Sequence, residues 1–371
     1  MKSKKLLALI LCLALSFALL AGCQSGEEQN PAQSPDDSQG EDTPQDNQQP
    51  NTDDQNDEPA ERADVRFAVL SGPTGVGAVK LMADSEAGTT RNNYEMTVAA
   101  ANDEVVAKLT SGEVDIAAMA TNVAANLYNK TEGKVQMLTV NGLGVLYILE
   151  RDGEAIQSMA DLKGRTIYAT GQGANPEYVL NYLLRENGLE PGADVEIVWQ
   201  TAEEVTANMV SGTADVCMLP VPAATALQIK GDSSEGAFSI RSALDLTEEW
   251  QKVTGDGDLI MSCTVVRADW AKENPEAVAA FLEDYEASIN FVKENVDEAA
   301  ELVAQYGITA NAAVAKRAIP DCNLTFISGS DMQPAIEGYY QVLFDADPAS
   351  IGAKSAEEGG SVPDEGFYYM P

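Results

Sequence analysis

Histidine is absent from all 371 residues of this sequence. It is the side chain most often used as a general base, as the partner of a nucleophilic serine or cysteine, and as a ligand of transition metals. We therefore predict no catalytic residue, no metal site and no cofactor. An enzyme that uses Asp, Glu, Lys or Tyr side chains stays open as an alternative.

Positive charge and cysteine are also scarce. The chain has 23 Lys and Arg against 59 Asp and Glu, a net charge of −36. Such a chain repels nucleic acid phosphates and anionic lipid headgroups, so we predict no nucleic acid partner. No two of the five cysteines stand close enough for a CxxC metal or redox motif. They are Cys12, Cys23, Cys217, Cys263 and Cys322.

Two of these cysteines, Cys217 and Cys263, lie within apolar runs and are most simply buried free thiols. A disulfide between Cys263 and Cys322 stays open for a protein outside the cytosol.

The N-terminus has the order of a secretory signal. Three lysines precede an apolar run over residues 6–20, and Leu20-Ala21-Gly22-Cys23 follows. The run is short for a spanning helix, so residues 1–22 are predicted to be a signal peptide. Residues 23–63 are acidic and proline-rich with almost no large apolar side chain. They cannot bury enough surface to offset their ordering entropy, which predicts a disordered acidic tether.

One stretch of the chain occurs twice. Residues 102–119 recur as residues 202–219, at an offset of 100 residues without a gap. Each copy reads as a short helix, a Ser-Gly stop, an Asp and an apolar strand. Two copies indicate two similar lobes with a cleft between them. The identical pairs are Glu104/Glu204, Val105/Val205, Ala107/Ala207, Ser111/Ser211, Gly112/Gly212 and Asp115/Asp215.

The globular part begins near Asp64 and alternates strands with helices, which predicts largely parallel sheets flanked by helices. We assign residues 64–151 to the first part of lobe I, 152–257 to lobe II, and 258–371 to the return and the second part of lobe I. The glycines after the first strand lack the Gly-Lys-Ser/Thr ending of a P-loop, so nucleotide binding there is not expected. Helices are predicted from residue 275 to about residue 345.

Ligands of open α/β sheets bind beyond the carboxyl ends of the strands, which selects four loops and one residue between two strands. Helix-start N–H groups and polar side chains there could bind a polar ligand, although the same Thr and Asn residues could simply cap their helices. Tyr178 and Trp199 could stack on a planar ligand or be ordinary packing. The predicted contacts are Gly72, Pro73, Thr74, Gly75, Thr121, Asn122, Asn141, Gln172, Gly173, Ala174, Asn175, Leu219 and Pro220.

These features together resemble a known family. The Leu-Ala-Gly-Cys lipobox, the strand–Gly-turn–helix units, the repeated block and the late Asn-Pro-Glu helix are similar to the solute-binding lipoproteins of bacterial ABC importers. The group includes nitrate, sulfonate, taurine and pyrimidine thiamine-precursor binders. Where many relatives read Leu-Pro-Glu-Pro, this chain has Val221 in place of the Glu, so a carboxylate contact is in doubt there.

The resemblance implies a type II periplasmic-binding-protein fold, with two crossing strands near residues 145–151 and 259–267 as the hinge. It implies a lipid on Cys23, a location outside the cytoplasm at the membrane, and permease and ATPase partners. We expect a monomer that captures a small organic solute, sulfonate-, nitrate- or pyrimidine-like. The alternatives are an extracellular bilobal enzyme and a sensing or adhesion lipoprotein.

Overall fold

The computed structural model describes residues 62–255 and 257–371. The predicted signal peptide, Cys23 and the tether up to residue 61 lie outside the described residues. The strands are β1 (Asp64–Leu70), β2 (Asn93–Ala99), β3 (Ile116–Ala120), β4 (Val135–Gly142), β5 (Leu146–Arg151), β6 (Thr166–Ala169), β7 (Glu196–Trp199), β8 (Val216–Pro220), β9 (Ile240–Asp245), β10 (Ser262–Arg267) and β11 (Leu324–Ser328). The helices are α1 (Pro73–Glu86), α2 (Asn102–Ser111), α3 (Thr121–Thr131), α4 (Asn175–Glu186), α5 (Ala202–Ser211), α6 (Ala223–Asp232), α7 (Leu246–Thr254), α8 (Ala268–Glu273), α9 (Pro275–Glu294), α10 (Val296–Gln305), α11 (Ala312–Ala318) and α12 (Met332–Ala346).

The two copies of the repeat form the same unit, a helix followed by a strand. The first copy is α2 with β3, and the second is α5 with β8. Each helix ends at a glycine in the left-handed conformation, Gly112 with φ 77° and Gly212 with φ 76°. Glycine reaches this conformation without steric cost, so the Ser-Gly pair is confirmed as the helix stop.

The strands form two mixed sheets. The first has the order β11-β4-β10-β3-β1-β2, and the second has the order β7-β6-β8-β5-β9. In the first sheet β10 and β11 run opposite to the other four strands, and in the second sheet only β5 does so. Most strands of each sheet therefore share one direction, and helices cover the sheets.

The chain passes between the sheets twice. It leaves the first sheet after β4 and enters the second at β5, and it returns after α7 to begin β10. Both β5 and β10 pair within one sheet, so the crossings occupy residues 143–145 and the segment before Ser262. The action of these crossings as a hinge stays a prediction.

Two parts of the sequence prediction were wrong in detail. Leu324–Ser328, expected to be helical, is strand β11 at the edge of the first sheet, where it pairs with β4. Its residues Leu-Thr-Phe-Ile favour a pleated, half-buried surface. Leu259, Ile260 and Met261 were expected to begin a strand, but they precede β10. Two of their carbonyl oxygens accept hydrogen bonds from side chains instead.

One apolar core runs from the first sheet into the second. It contains Met137 of β4, Ile148 of β5, Ile167 of β6 and Leu343 of α12, all fully or almost fully buried. Separate cores lie on the outer faces, one where α1 and α9 cover the first sheet and one where α5 and α6 cover the second. Within this core α12 packs against β4 and β11 of the first sheet, and its Tyr339 contacts Trp250 of α7 and Asn175 of α4, which flank the second sheet.

Candidate functional site

Two neighbouring cavities lie where strands of both sheets end. The inner cavity, of about 150 Å³, is lined by residues that follow β1, β3 and β6 and by residues at the crossing into β10. Its lining residues are Leu70, Ser71, Pro73, Thr74, Asn102, Ala120, Leu143, Val145, Gly171, Ala174, Asn175, Pro176, Met261 and Ser262. Strand carboxyl ends are where α/β sheets place ligands, so the location agrees with the sequence argument.

The outer cavity, of about 260 Å³, shares Ser71 and Pro73 with the inner one. Its other wall is formed by the end of β8, the turn into α6 and the starts of α5 and α6, and its rim comes from residues 308–310 and from Val314 of α11. Its lining residues are Ser71, Gly72, Pro73, Ala202, Glu203, Pro220, Val221, Pro222, Ala223, Ala226, Ile308, Thr309, Ala310 and Val314. The two cavities together form a cleft between the sheets.

Six of the thirteen predicted contacts line this cleft. They are Gly72, Pro73, Thr74, Ala174, Asn175 and Pro220. The other seven line neither cavity: Gly75, Thr121, Asn122, Asn141, Gln172, Gly173 and Leu219. Their roles as ligand contacts stay predictions, but most of them pack in the core or form hydrogen bonds within the protein.

Gly75 lies inside α1, where it packs against Ile308 and the carbonyl oxygen of Leu70. A Cβ added there would stand 2.5 Å from Ile308 Cδ1 and 2.8 Å from the carbonyl oxygen of Leu70. Leu219 is fully buried in the core under α5 and α6, and Gln172 and Gly173 are exposed. Close packing of the backbone therefore explains Gly75 better than ligand contact does.

Asn175 belongs to a buried network that joins both sheets and α12. Its Nδ2 donates to Thr121 Oγ1 at 2.8 Å and to the carbonyl oxygen of Met261 at 2.6 Å. Its Oδ1 accepts from the Tyr339 hydroxyl at 2.9 Å and from the Asn122 backbone N–H at 3.3 Å. An asparagine amide offers two donors and two acceptor positions, so all four are occupied.

We call this network, made of Thr121, Asn122, Asn175, Met261 and Tyr339, the inter-lobe clasp. Burial raises the pKa of the Tyr339 hydroxyl well above its ordinary value, so the hydroxyl remains a donor at neutral pH. These hydrogen bonds therefore hold the start of α4, which follows β6 of the second sheet, to the start of α3, which follows β3 of the first sheet.

Asn141 is buried at the end of β4. Its Nδ2 donates to Thr264 Oγ1 at 2.9 Å and to the Tyr285 hydroxyl oxygen at 3.0 Å. These bonds tie β4 to β10 and to α9, within the first sheet.

Asn102 and Glu203 line the cleft but were not predicted to do so. Asn102 begins α2 after β2, and Glu203 lies in the first turn of α5 after β7. The rule used for the other loops, applied to the ends of β2 and β7, would have found both. Ile308 to Val314 come from a part of the chain without a repeat partner, so nothing in the sequence pointed to them.

A larger cavity of about 670 Å³ lies at the opposite edge of the first sheet. It is lined by the end of α2, the turn before β4 and the end of β10, including Lys134 and Arg267. All of its walls belong to the first sheet and its helices, so the second sheet contributes nothing to it. We therefore place the candidate site in the cleft.

The stacking candidates and the cysteines lie away from the cleft lining. Tyr178 packs against the shared core and borders a separate polar cavity, and Trp199 packs against the same core. Cys217, Cys263 and Cys322 are free and buried. The buried free thiols predicted at Cys217 and Cys263 are confirmed, and the structure contains no Cys263–Cys322 disulfide.

Within residues 62–255 and 257–371, no helix is long and apolar enough to cross a membrane. In the same part of the chain, no group of three or more Cys, Asp or Glu side chains is arranged to hold a metal ion.

The described fold is that of two-lobed solute-binding proteins. It superposes on the crystal structure of an ABC transporter protein from Parabacteroides distasonis with a TM-score of 0.65, at 21% identity, over 84% of this chain and 99% of that one. It superposes on the aliphatic sulphonate binding protein SsuA of Escherichia coli with a TM-score of 0.66, at 16% identity, over 84% and 93% of the two chains. At these identities the likeness establishes the fold, and it confirms the predicted α/β periplasmic-binding-protein architecture.

Residues 146–299 match the family model described as NMT1/THI5 like. The chain is also 27% identical, over 156 residues, to the nitrate/nitrite binding protein NrtA of Synechococcus elongatus. The match covers 41% of this chain and 32% of NrtA, so the chain spans about a third of that relative's length. The resemblance to the solute-binding proteins of ABC importers, drawn from the sequence, is thereby confirmed, and the lipid on Cys23 stays a prediction.

Proposed function

We propose that this protein is the solute-binding component of an ABC importer. It captures a small solute in the cleft and delivers it to a membrane permease that works with an ATPase. The observation that carries the proposal is the cleft itself, whose walls are helix starts from both sheets. A ligand that touches both walls favours the closed arrangement by its differential affinity, and this needs no chemical step.

The relatives support this proposal. Proteins of the same fold are named as a sulphonate binding protein and as part of an ABC transporter, and the sequence relative is named as a nitrate/nitrite binder. We propose that the protein acts as a monomer, and that the crossings at residues 143–145 and before Ser262 are its hinge.

A ligand screen tests the proposal. Binding to the native state alone raises the melting temperature with ligand concentration, whereas an enzyme would consume the compound. We expect at least one small solute to raise the melting temperature and to be recovered unchanged. Turnover of a compound without a stabilising ligand would favour the extracellular enzyme instead.

We further propose that Cys23 carries the lipid that holds the protein outside the cytoplasm at the membrane. Lipid chains bury many methylene groups in the bilayer, and two or more give stable anchoring. Cys23→Ala should release the protein from the membrane fraction, whereas Cys12→Ala in the apolar run should leave it there. Cell fractionation and intact-protein mass distinguish the two variants, and membrane retention of a Cys23→Ala chain whose mass shows that residues 1–22 have been removed would contradict the anchor.

A further inference from the structure

Carboxylates stand at three helix starts that border the cleft. Asp103 and Glu104 lie in the first turn of α2, Glu177 lies in that of α4, and Glu203 lies in that of α5. A helix start carries partial positive charge and ordinarily attracts an anion from solution. Here the chain supplies its own anions. Glu203 lines the outer cavity, so an oxyanion there would meet negative charge, whereas Asp103, Glu104 and Glu177 stand beside the lining residues Asn102 and Pro176 without lining either cavity.

Several backbone donors at helix starts around the cleft are also used within the chain or missing. Glu177 Oε2 accepts from the Gly173 N–H at 2.6 Å, and Glu104 Oε2 accepts from the Ala100 N–H at 3.3 Å. Pro73 and Pro176, which line the inner cavity, have no N–H to donate. Fewer backbone N–H groups therefore remain for a ligand than would be free if every helix start at the cleft were unoccupied.

The inner cavity is mostly apolar and its polar groups are uncharged. Leu70, Leu143, Val145 and Met261 form much of its wall. Burying a charged group against such a wall costs free energy unless the group is paired. The wall thus favours an uncharged ligand over a cation as well as over an anion.

One side chain of this wall presents a fixed donor. Asn102 Oδ1 accepts from the Ala120 N–H at 3.1 Å, which sets the orientation of the amide. Asn102 Nδ2 makes no hydrogen bond to the described part of the chain, and the residue lines the inner cavity. The equivalent position in the second copy of the repeat is Ala202, so this amide distinguishes the first wall from the second.

The volume of the inner cavity limits the part of a ligand that can be seated in it. Its volume of about 150 Å³ is comparable to that of an apolar cavity known to hold one benzene molecule. The part of a ligand seated here is therefore small and compact.

We propose that the cleft selects an uncharged small molecule whose compact apolar part fills the inner cavity and whose acceptor atom receives a hydrogen bond from Asn102 Nδ2. This inference rests on the proposed solute-binding function and names its ligand class. It separates this chain from the anion binders that it resembles.

Isosteric probes test the charge preference. Benzoate, benzamide and benzamidinium share one skeleton and differ in charge, as do acetate, acetamide and acetamidinium. We expect titration calorimetry on the full chain to give the uncharged member the highest affinity, about tenfold or more above the anion, because an unpaired buried charge is costly. Tightest binding of benzoate, benzenesulfonate, nitrate or an amidinium would overturn the inference and leave the proposed function standing.

Failure of the proposed function has a different outcome. Native mass spectrometry after incubation with filtered cell extract detects any retained small molecule and its composition. If the protein binds none of the probes and retains no small molecule, the proposed function fails and the inference fails with it. A retained uncharged compound supports both.

The role of Asn102 is tested by Asn102→Asp. The variant keeps an oxygen that accepts from the Ala120 N–H and replaces the donor by a carboxylate oxygen. We expect the affinity for the uncharged probe or retained compound to fall about tenfold or more. The matched control is Asn93→Asp on the exposed start of β2, which adds the same charge away from the cleft.

Asn102→Ala, with melting temperature as a check of folding, gives a second measurement. Unchanged affinity in both Asn102 variants would overturn the role of this amide.

Discussion

Gly112 and Gly212 end the two copies of the repeat in the same backbone conformation but in different surroundings. An added Cβ would stand 2.8 Å from Arg267 Nη1 at Gly112, and 3.4 Å from Arg151 Nη1 at Gly212. The left-handed conformation costs a residue with a Cβ about 1–2 kcal/mol. We expect Gly212→Ala to lose roughly this much stability and Gly112→Ala to lose more, as measured by urea unfolding.

Gly188, which follows α4, is the matched control for the backbone cost alone. It has φ 72°, and a Cβ there would meet nothing within 4 Å. Gly188→Ala should therefore behave like Gly212→Ala. Equal stability of the Gly112 and Gly188 variants would show that the Arg267 side chain moves aside freely.

The repeated aspartates differ as well. Asp115 is buried, and its Oδ2 accepts from Arg66 Nε at 2.9 Å, whereas Asp215 is exposed. Two residues that are identical in the repeat therefore have different surroundings in the structure. Arg66 lies in β1, outside the repeated segment, so a comparison of the two copies could not reveal this ion pair.

The buried thiols make a prediction about reactivity and pH. Burial raises the pKa of Cys217 and Cys263 well above the ordinary value, and burial with the nearby Asp321 raises that of Cys322 to about 12. The thiolate is the reactive form, so the folded protein should react slowly with iodoacetamide at pH 8. Peptide mass mapping with and without urea measures each thiol separately.

The sign of the pH effect follows from these shifts. The folded state holds the thiols protonated, whereas unfolded thiols ionise near pH 8.5. Their contribution to the free energy of unfolding should be complete below that pH and should fall as the pH rises toward 12. Native labelling as fast as in urea would contradict the buried positions.

At the scale of elements, the inter-lobe clasp fixes the start of α4 to α3 and α12. Asn175→Ala removes four hydrogen bonds and leaves their buried partners unpaired. The free energy of unfolding should therefore fall by roughly 2–4 kcal/mol. We expect this loss in urea unfolding, and a smaller one for Tyr339→Phe, which removes one donor. Asn187→Ala, beyond the other end of α4, is the control because, within the described residues, its side-chain amide donates one hydrogen bond, to the carbonyl oxygen of Leu183. Equal effects at positions 175 and 187 would mean that the clasp does not join the sheets.

The clasp also shows what sequence reasoning could reach. Strand ends and helix starts follow from apolar runs and Gly-rich turns, so the loops around residues 72–75, 121–122 and 172–175 were placed at the correct edge. Whether Asn175 faces solvent or Tyr339 depends on α12, which lies more than 150 residues later. Local pattern carries no information about such a partner. The same reason explains why β11 and the outer rim at Ile308 were missed.

At the scale of the whole molecule, the two sides of the cleft differ. On one side the clasp and the shared core of α12 join the sheets. On the other side Gly72 and Pro73 face Glu203 and Pro220 across the outer cavity. Opening should therefore occur at the outer cavity, with the clasp near the pivot.

Hydrogen exchange measures this asymmetry directly. Protection reports the free energy of local opening, which is lowest where few buried contacts hold the backbone. A bound ligand should slow exchange at the starts of α1, α5 and α6, around Thr74, Glu204 and Ala224, and should shrink the radius of gyration in X-ray scattering. Exchange in α12 around Tyr339 should be slow in both states, because its partners are buried with or without ligand. If ligand changed exchange at Tyr339 as much as at Ala224, the clasp would open with the cleft, and the pivot would have to lie in the crossings alone.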